Sequence, residues 1–431
     1  MRLVAWRILL CAVLAVGCGE YESGIDVDYE GDLGTHVPAS YGSWVPLVTA
    51  TVNTGEERRL AVDTGAPATY LDTTFFPELA PGVQHADLDT MGLLFPSHQM
   101  VVQDIFAFAA NDPSAVHGLL GGDILQGFVV SFDYQASDAW LTLTFVESSL
   151  PKWVGEPMPI PVAIGGGGRF AIPDGKCEKS KTCETIRLPA SRILLKAIVE
   201  DSSEEVWALV DTGASAVVLD DDLYARLDTG TGERPRLDGV MVSTVDGNAS
   251  AFYSRVWRLV LAGADEREGP RAGVDDVPVL VIPGSTLTDD IDAEVGVDVQ
   301  VLIGGTMLRH FLTSIDYPGE TLFLAPYLDS THIPGNEFVR MGFLMEPVQG
   351  DWTVSEVNPG TDAHAEGLVV GDVVDELAGA PITGEDPSFV ALLLADFGLG
   401  DEVSVGIRRA DGIATRQVFI EDLLPSFPPT P

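Results

Sequence analysis

Two short stretches of the chain place an aspartate in the same chemical setting. Asp63 lies in LAVDTGAPATYLD and Asp211 lies in WALVDTGASAVVLD, each directly after an apolar run and directly before Thr-Gly-Ala. If the two copies face each other, their carboxylates cannot both ionise and they share one proton. The ionised member can then accept a proton while the protonated member donates one, which is general acid–base chemistry. The residues therefore point to a paired-acid site, provided that the fold brings the copies together.

A third Asp-Thr-Gly shows that the tripeptide alone is weak evidence. Asp228 lies in ARLDTGTGERP, a polar and Gly-rich setting that is typical of a surface turn. An acid that only caps a turn is the ordinary alternative for any single copy. The matched flanks of Asp63 and Asp211 argue against that alternative for these two residues.

The sequence around the two acids is duplicated. WVPLVTATVNTGEERRLAVDTGA and SRILLKAIVEDSSEEVWALVDTGA each predict two alternating strands joined by a turn, and the Leu-Asp pairs that follow predict helix N-caps at Asp72 and Asp220. Further along, GLLGGDILQGFVVSFDYQASDAWLTL matches VLIGGTMLRHFLTSIDYPGETLFL. The chain therefore holds two copies of one unit, over residues 41–150 and 187–328.

A Pro- and Gly-rich stretch over 151–186 is predicted to link the two units. It contains Cys177 and Cys183 in DGKCEKSKTCET, and an even pair in an exported protein is typical of a disulfide that closes a small loop. A zinc site would need two further ligands, and no other Cys or His lies nearby.

The N-terminus has the pattern of an export signal. Residues 1–18 have a basic start, an apolar run too short for an ordinary membrane span, and small residues before Cys18. LAVGC resembles a bacterial lipobox, which would make Cys18 the lipidated first residue of a protein held in the cell envelope, facing the periplasm or the cell surface. Cleavage to a soluble secreted form is the alternative. Residues 19–40 lack apolar periodicity and are predicted to form an acidic tether.

The paired VDTGA elements, with LLGGD and LIGGT downstream, resemble the aspartic peptidases, and the retropepsin-like branch most closely because Ala follows the Gly. The resemblance implies a mostly β, bilobed β-barrel pseudo-dimer within one chain, as in the pepsins. It also implies a monomer that cleaves polypeptides with the Asp63–Asp211 dyad, without a metal or cofactor. The supporting residues would be Thr64, Gly65, Ala66, Thr212, Gly213 and Ala214.

The same resemblance implies roles for these supporting residues. Gly65 and Gly213 would let backbone N–H groups approach the carboxylates, and Thr64 and Thr212 would bond across the axis. Substrate-covering flaps are expected at Asp246-Gly247-Asn248 in the second unit and, near the cleft, at Met91 to Phe95 in the first. Pro67 departs from the family pattern, which usually has a small polar or acidic residue at that position.

Residues 336–424 resemble a PDZ domain of the kind attached to bacterial exported proteases. Met341, Gly342 and Phe343 fit the Φ-Gly-Φ loop that binds a peptide C-terminus, and NPGTDAHAEGL precedes Gly-Asp as expected. The fold class predicted for the whole chain is therefore a mostly β pseudo-dimer followed by a PDZ-like α+β domain. A small β domain that packs on the two units without binding peptides is the alternative.

Composition narrows the function further. A net charge of −41 argues against binding to nucleic acid, which needs clustered Lys and Arg. The sequence therefore favours a membrane-anchored aspartic endopeptidase, with a catalytically inactive peptide-binding lipoprotein as the alternative. A glycan or lipid hydrolase has no matching Ser-His-Asp or paired-Glu pattern.

Overall fold

The computed structural model describes most of the chain, including both VDTGA stretches and the C-terminal unit. The described residues are 27–34, 37–42, 44–105, 116–135, 140–144, 154–171, 185–227, 234–244, 247–264, 269–284, 289–329, 333, 337–385, 387–394, 397–409 and 412–427. Cys18, Cys177, Cys183 and Asp228 lie outside them, so the predicted lipidation, disulfide and surface turn stay predictions. No helix within the described ranges is long and apolar enough to cross a membrane.

Lobe 1 is an eight-stranded β-sheet that closes around an apolar core. Its central strands pair in parallel, β5 with β9 and β6 with β8, while β6 and β9 run antiparallel. The elements up to the end of this lobe are β1 (Glu30–Gly31), β2 (Val37–Pro38), β3 (Ser40–Gly42), β4 (Val45–Val52), β5 (Arg58–Val62), β6 (Tyr70–Asp72), β7 (Gly82–Thr90), β8 (Leu93–Gln103), β9 (Gly118–Leu120), α1 (Gly122–Leu125), β10 (Val129–Phe132) and β11 (Trp140–Thr144).

Lobe 2 repeats this topology. Strands β17 and β22 are parallel, β18 and β21 are parallel, and β18 and β22 are antiparallel. Its elements are β12 (Met158–Pro161), β13 (Ala163–Gly165), β14 (Gly168–Ala171), β15 (Thr185–Leu188), β16 (Arg192–Val199), β17 (Val206–Val210), β18 (Val217–Leu219), α2 (Asp221–Arg226), β19 (Arg236–Thr244), β20 (Gly247–Ala262), β21 (Arg271–Val281), α3 (Asp289–Val295), β22 (Val299–Ile303), α4 (Gly305–Leu308), β23 (Phe311–Asp316) and β24 (Thr321–Pro326).

A third sheet joins the lobes. Its order is β12-β24-β23-β10-β11-β2, and β10 of lobe 1 pairs antiparallel with β23 of lobe 2. At its centre the Oγ atoms of Ser131 and Ser314 lie 2.7 Å apart. One apolar cluster extends through both lobes, from Val48 and Phe76 to Ile315 and Leu324. The predicted mostly β pseudo-dimer within one chain is therefore confirmed.

Two predicted connecting segments are instead partly built into the fold. Within the predicted linker, Met158–Pro161 pairs with β24 and Ala163–Gly165 pairs with β16. Within the predicted tether, Glu30–Gly31 pairs with β8, and Tyr29 packs its ring against Phe128. The linker and tether predictions are wrong for these residues, because strand pairing with distant parts of the chain overrides a Pro-, Gly- or acid-rich local composition.

The C-terminal unit has its own sheet and its own apolar core. The sheet runs β26-β27-β28-β30-β31, with β29 beside β28, and buried Val354, Val374 and Val405 lie in its core. The elements are β25 (Val339–Arg340), β26 (Phe343–Val348), β27 (Asp351–Val357), α5 (Asp362–Ala365), β28 (Val373–Leu377), β29 (Ala380–Pro381), α6 (Pro387–Leu394), β30 (Glu402–Arg409), β31 (Gly412–Phe419) and β32 (Glu421–Asp422).

Candidate active site

Asp63 lies in a tight loop at the end of β5. Its backbone N–H donates to the Leu120 carbonyl at 3.0 Å, which ties the loop to the parallel neighbour β9. Its Oδ1 accepts hydrogen bonds from Gly65 N–H at 2.8 Å and Ala66 N–H at 3.0 Å. The loop thus fixes the carboxylate through the backbone of the residues that follow it.

Asp211 occupies the equivalent loop after β17. Its N–H donates to the Ile303 carbonyl at 3.0 Å, and its Oδ1 accepts from Gly213 N–H at 2.9 Å and Ala214 N–H at 3.1 Å. Each contact matches one in lobe 1 to within about 0.1 Å. The duplication read from the sequence is therefore a duplication of hydrogen-bond geometry.

The two loops are fastened to each other by their threonines. Thr64 Oγ1 donates to the Val210 carbonyl at 2.8 Å and accepts from Thr212 N–H at 3.1 Å. Thr212 Oγ1 donates to the Val62 carbonyl at 2.6 Å and accepts from Thr64 N–H at 3.1 Å. Both hydroxyls are fully buried, so four reciprocal hydrogen bonds hold the lobes together beneath the acids.

The glycines lie directly against the opposite carboxylates. A Cβ added to Gly65 would lie 2.6 Å from the Asp211 carboxyl carbon, and one added to Gly213 would lie 2.5 Å from that of Asp63. Neither distance is possible for a real Cβ. The structure therefore brings Asp63 and Asp211 together, with their supporting residues, at the interface between the lobes.

A second pair of glycines lets each Asp-Thr-Gly loop pack against a short helix. Gly122 N–H donates to the Ala66 carbonyl at 2.8 Å, and Gly305 N–H donates to the Ala214 carbonyl at 2.9 Å. A Cβ at Gly121 would lie 2.0 Å from the Ala68 carbonyl oxygen. The Gly-Gly that follows β9 and β22 is thus required by the close approach of two backbones.

The electrostatics of the pair favour a shared proton. Burial, then the charge of Asp211, raises the pKa of Asp63 well above its usual value. Burial also raises the pKa of Asp211, while the hydrogen bond with Asp63 and the charge of Arg192 oppose the rise. Two acids with raised pKa values in hydrogen-bond contact are suited to hold one proton between them, since one then serves as base and the other as acid.

Two buried phenols lie near the dyad, one from each lobe. Burial raises the pKa of Tyr134, with a further rise from the charge of Asp211. Burial likewise raises the pKa of Tyr317, with a further rise from Asp63. Both phenols are therefore neutral at acidic and neutral pH. The sequence analysis did not single them out, although the matched Asp-Tyr in SFDY and SIDY marks them.

Arg192 is the charged residue at this site that the sequence analysis missed. Its Nη1 donates to the carbonyl of Gly65 across the lobe interface, and its Nε donates to Glu294 Oε2 at 2.8 Å. The available signal was a charged residue at the start of a mostly apolar strand, SRILLKAIV.

Among the described residues, a hairpin of the kind predicted as a flap is found in lobe 2. Strands β19 and β20 pair from Arg236–Ser254 to Thr244–Gly247, and Asp246 at the predicted tip lies outside the described residues. In lobe 1, residues 73–81 form turns and lead directly into β7. Met91, at the turn between β7 and β8, is buried with Leu93 and Phe95 in the core of lobe 1, so the expectation that Met91 to Phe95 lies near the cleft as a flap is wrong for these side chains.

Lobe 2 and the C-terminal unit are packed together through this hairpin. The rings of Tyr253 and Phe338 are 5.4 Å apart in an edge-on arrangement, and Arg255 Nε donates to the Leu424 carbonyl at 2.9 Å. Asn358 Nδ2 donates to the Asp238 carbonyl at 3.4 Å. The base of the hairpin is thus held by the C-terminal unit.

Of the residues predicted to form a peptide-binding loop, Met341 and Gly342 lie between β25 and β26 and Phe343 begins β26. Gly342 has a φ of +73°, and its carbonyl accepts from Asn358 N–H at 2.9 Å. Met341 and Phe343 are buried in the core of the C-terminal unit. Strand β26 pairs only with β27 and forms an edge of its sheet, the position at which an added peptide strand would lie.

The predicted helix caps differ between the lobes. Asp220 caps α2 by accepting from Leu223 N–H at 3.0 Å, as expected. Asp72 instead closes a turn by accepting from Thr74 N–H and from Ile105 N–H. Asp220, Asp221 and Asp222 bring carboxylate oxygens within 4.8 Å of one another, an arrangement that acids at a helix N-terminus explain without a metal.

The match to a known protein family lies in lobe 2. Residues 195–306 match the model of a family described as aspartyl protease, a segment that runs from β16 through the Asp211 loop to α4. The matched segment is less than half of the chain. Among solved structures, the aspartic proteinase from Irpex lacteus is 13% identical, covers 69% of this chain and 98% of its own, and has a TM-score of 0.37. No curated protein matches the chain.

Proposed function

We propose that the protein is an aspartic endopeptidase in which Asp63 and Asp211 activate one water molecule for attack on a peptide bond. The observation that carries this proposal is the reciprocal geometry of the two loops, in which each Gly lies against the opposite carboxylate. An aspartate that only caps a turn has no need of a second acid beside it.

The expected mechanism uses the two carboxyls in different protonation states. The ionised carboxylate accepts a proton from water, and the resulting hydroxide attacks the peptide carbonyl carbon. The protonated carboxyl donates its proton to the carbonyl oxygen, which gives a neutral tetrahedral diol. Collapse of the diol breaks the C–N bond as the amine leaving group takes a proton from the protonated carboxyl and a diol hydroxyl gives its proton to the ionised carboxylate. The products are a carboxylic acid and an amine, and the dyad is again singly protonated.

We further propose that Cys18 carries a lipid that anchors the protein in the bacterial cell envelope, and that the C-terminal unit is PDZ-like and binds peptide termini at Met341, Gly342 and Phe343. The LAVGC sequence supports the first proposal, and the free edge of β26 supports the second. Incorporation of labelled fatty acid should occur in the wild type and be lost in Cys18→Ala; equal labelling of the two would contradict the anchor.

The test of the peptidase proposal is cleavage of an unfolded protein by the purified mature region over a pH series. Activity should follow a bell-shaped curve on the acidic side of neutral, and Asp211→Asn should lower it by at least about a thousandfold. If the wild type binds the unfolded protein without cleaving it at any pH, the site is a peptide-binding cleft and the peptidase proposal fails.

A further inference from the structure

Arg192 reaches from lobe 2 into the catalytic loop of lobe 1. Its guanidinium donates to the carbonyl of Gly65, whose N–H holds the Asp63 carboxylate. The rest of the guanidinium is held by Glu294 on α3, with Nη2 at 2.6 Å and Nε at 2.8 Å from Oε2. The exposed fractions of the two side chains are 11% and 9%, so this is a nearly enclosed ion pair with one N–H group directed at the dyad loop.

The pseudo-symmetry of the molecule shows that this contact belongs to one lobe. Leu194 pairs with the residue two before Asp211, and Leu47 pairs with the residue two before Asp63. By this register, the position in lobe 1 that is equivalent to Arg192 is Val45, an uncharged residue. A structural role common to both loops would call for the same side chain in both, and the chain provides it only once.

The guanidinium is the cation that acts on both acids. Its charge lowers the pKa of Asp63 and of Asp211, against the rise that burial causes. Among the described residues, the groups in electrostatic contact with the dyad or with Arg192 include the phenols of Tyr70, Tyr134 and Tyr317 and the carboxyl of Glu294. Burial and neighbouring acids hold the pKa of Tyr70 at about 12, and those of Tyr134 and Tyr317 are raised as well, so the phenols stay neutral. Glu294 is the partner of Arg192 in the ion pair.

We propose that Arg192 is a positioning residue of the dyad, which fixes the lobe 1 loop from the opposite lobe and keeps the dyad singly charged in acid. Only the kinetic test of this inference rests on the proposed function. Below its lower macroscopic pKa the dyad is fully protonated and has no base. A nearby cation stabilises the anion and lowers that limit, so loss of the cation should move the acidic limb of the activity curve to higher pH, by about one pH unit.

The variant that removes the cation without stranding its buried partner is Arg192→Leu with Glu294→Leu. It removes both charges at once and leaves no unpaired buried acid, a replacement that proteins often tolerate. The matched control is Arg234→Leu with Glu200→Leu, because that ion pair also lies in lobe 2, with exposed fractions of 8% and 9%. Arg192→Lys keeps the charge and should keep the acidic limb within a few tenths of a pH unit of the wild type.

Two readouts make the inference separable from the peptidase proposal. The first is kcat/KM against pH, in which the Arg192/Glu294 variant should move the acidic limb upward while the Arg234/Glu200 variant leaves it in place. The second needs no activity: the infrared C=O band of protonated carboxyls, taken as the difference between each protein and its Asp63→Asn/Asp211→Asn derivative, follows the dyad directly. The band of the Arg192/Glu294 variant should persist to higher pH than that of the wild type.

The outcomes are distinct. If the wild type cleaves nothing but its infrared titration moves as expected on loss of Arg192, the peptidase proposal fails and the inference stands. If the Arg192/Glu294 variant folds with an unmoved infrared titration and an unmoved acidic limb, Arg192 has no effect on the dyad and the inference is wrong.

Discussion

The two lobes have nearly the same Asp-Thr-Gly loop and very different surroundings. The loops match in every backbone hydrogen bond to the acids and in the reciprocal threonine contacts. Outside the loops, lobe 2 adds the β19–β20 hairpin, the Arg192–Glu294 pair and the packing of Tyr253 against Phe338 of the C-terminal unit. The comparison indicates that duplication preserved what the dyad requires at its axis, while features that shape its surroundings were free to differ.

The largest expected effect tests the loop geometry that the two lobes share. Gly65→Ala and Gly213→Ala should each lower kcat/KM by at least about a hundredfold, because the new methyl group meets the opposite carboxylate and displaces a reacting group. The two losses should be similar, since the contacts are similar. Gly398→Ala, whose added Cβ would meet nothing closer than 3.9 Å, is the control and should leave kcat/KM unchanged.

The threonine contacts should be symmetric in stability. Thr64→Val or Thr212→Val leaves a buried carbonyl and a buried N–H without their partner, at a cost of about 2–4 kcal/mol in the free energy of unfolding. Urea unfolding measures the cost, and Thr49→Val on the exposed face of β4 should change little. The double variant should cost less than the sum, because each threonine's backbone N–H donates to the hydroxyl of the other and the four bonds form one network; full additivity would show that the two loops are held separately.

The dyad should reduce stability at neutral pH. Its folded-state pKa values are raised, so the folded protein binds protons more tightly than the unfolded chain, and stability falls as pH rises above the usual value of 3.8. At pH 7 the Asp63→Asn/Asp211→Asn variant should therefore be more stable than the wild type by about 1–3 kcal/mol. The gap should shrink toward pH 4, whereas Asp89→Asn on the exposed face of β7 should show no such trend.

The smallest expected effect concerns the contact between the lobe 2 hairpin and the C-terminal unit. Phe338→Leu removes the edge-on contact with Tyr253, which is worth about 1 kcal/mol. Hydrogen exchange should then speed up in the β19–β20 hairpin and stay unchanged in β7 and β8 of lobe 1. Phe397→Leu, at a partly buried residue packed against the core of the C-terminal unit, serves as the control. Equal acceleration in both lobes would show that the C-terminal unit does not act through the hairpin.

The sequence was informative where local pattern and tertiary need coincide. Asp63, Asp211 and their Thr-Gly-Ala neighbours could be found because one chemistry requires the same residues twice, and the Gly-Gly pairs because backbone approach excludes a Cβ. Arg192 could not be assigned, because its role depends on a contact with Gly65 that is 127 residues away.

The structure of the connecting segments was equally hidden. Met158–Pro161 contains two prolines and resembles a linker, yet it forms the edge strand of the sheet between the lobes, a position where proline is tolerated. Unit 2 (residues 187–328) is longer than unit 1 (residues 41–150), but the difference in length did not reveal which strand residues 73–81 lack.

The most direct test of the paired-acid account compares kcat/KM of Asp63→Asn, Asp211→Asn and the double variant, with Asp228→Asn as the control. Each single variant should lose nearly all activity and the double variant should be little worse, because the two acids act as a unit. Asp228→Asn should match the wild type. Near-normal activity in Asp63→Asn, with activity lost in Asp211→Asn, would contradict the account, because lobe 2 would then act alone or with a second chain.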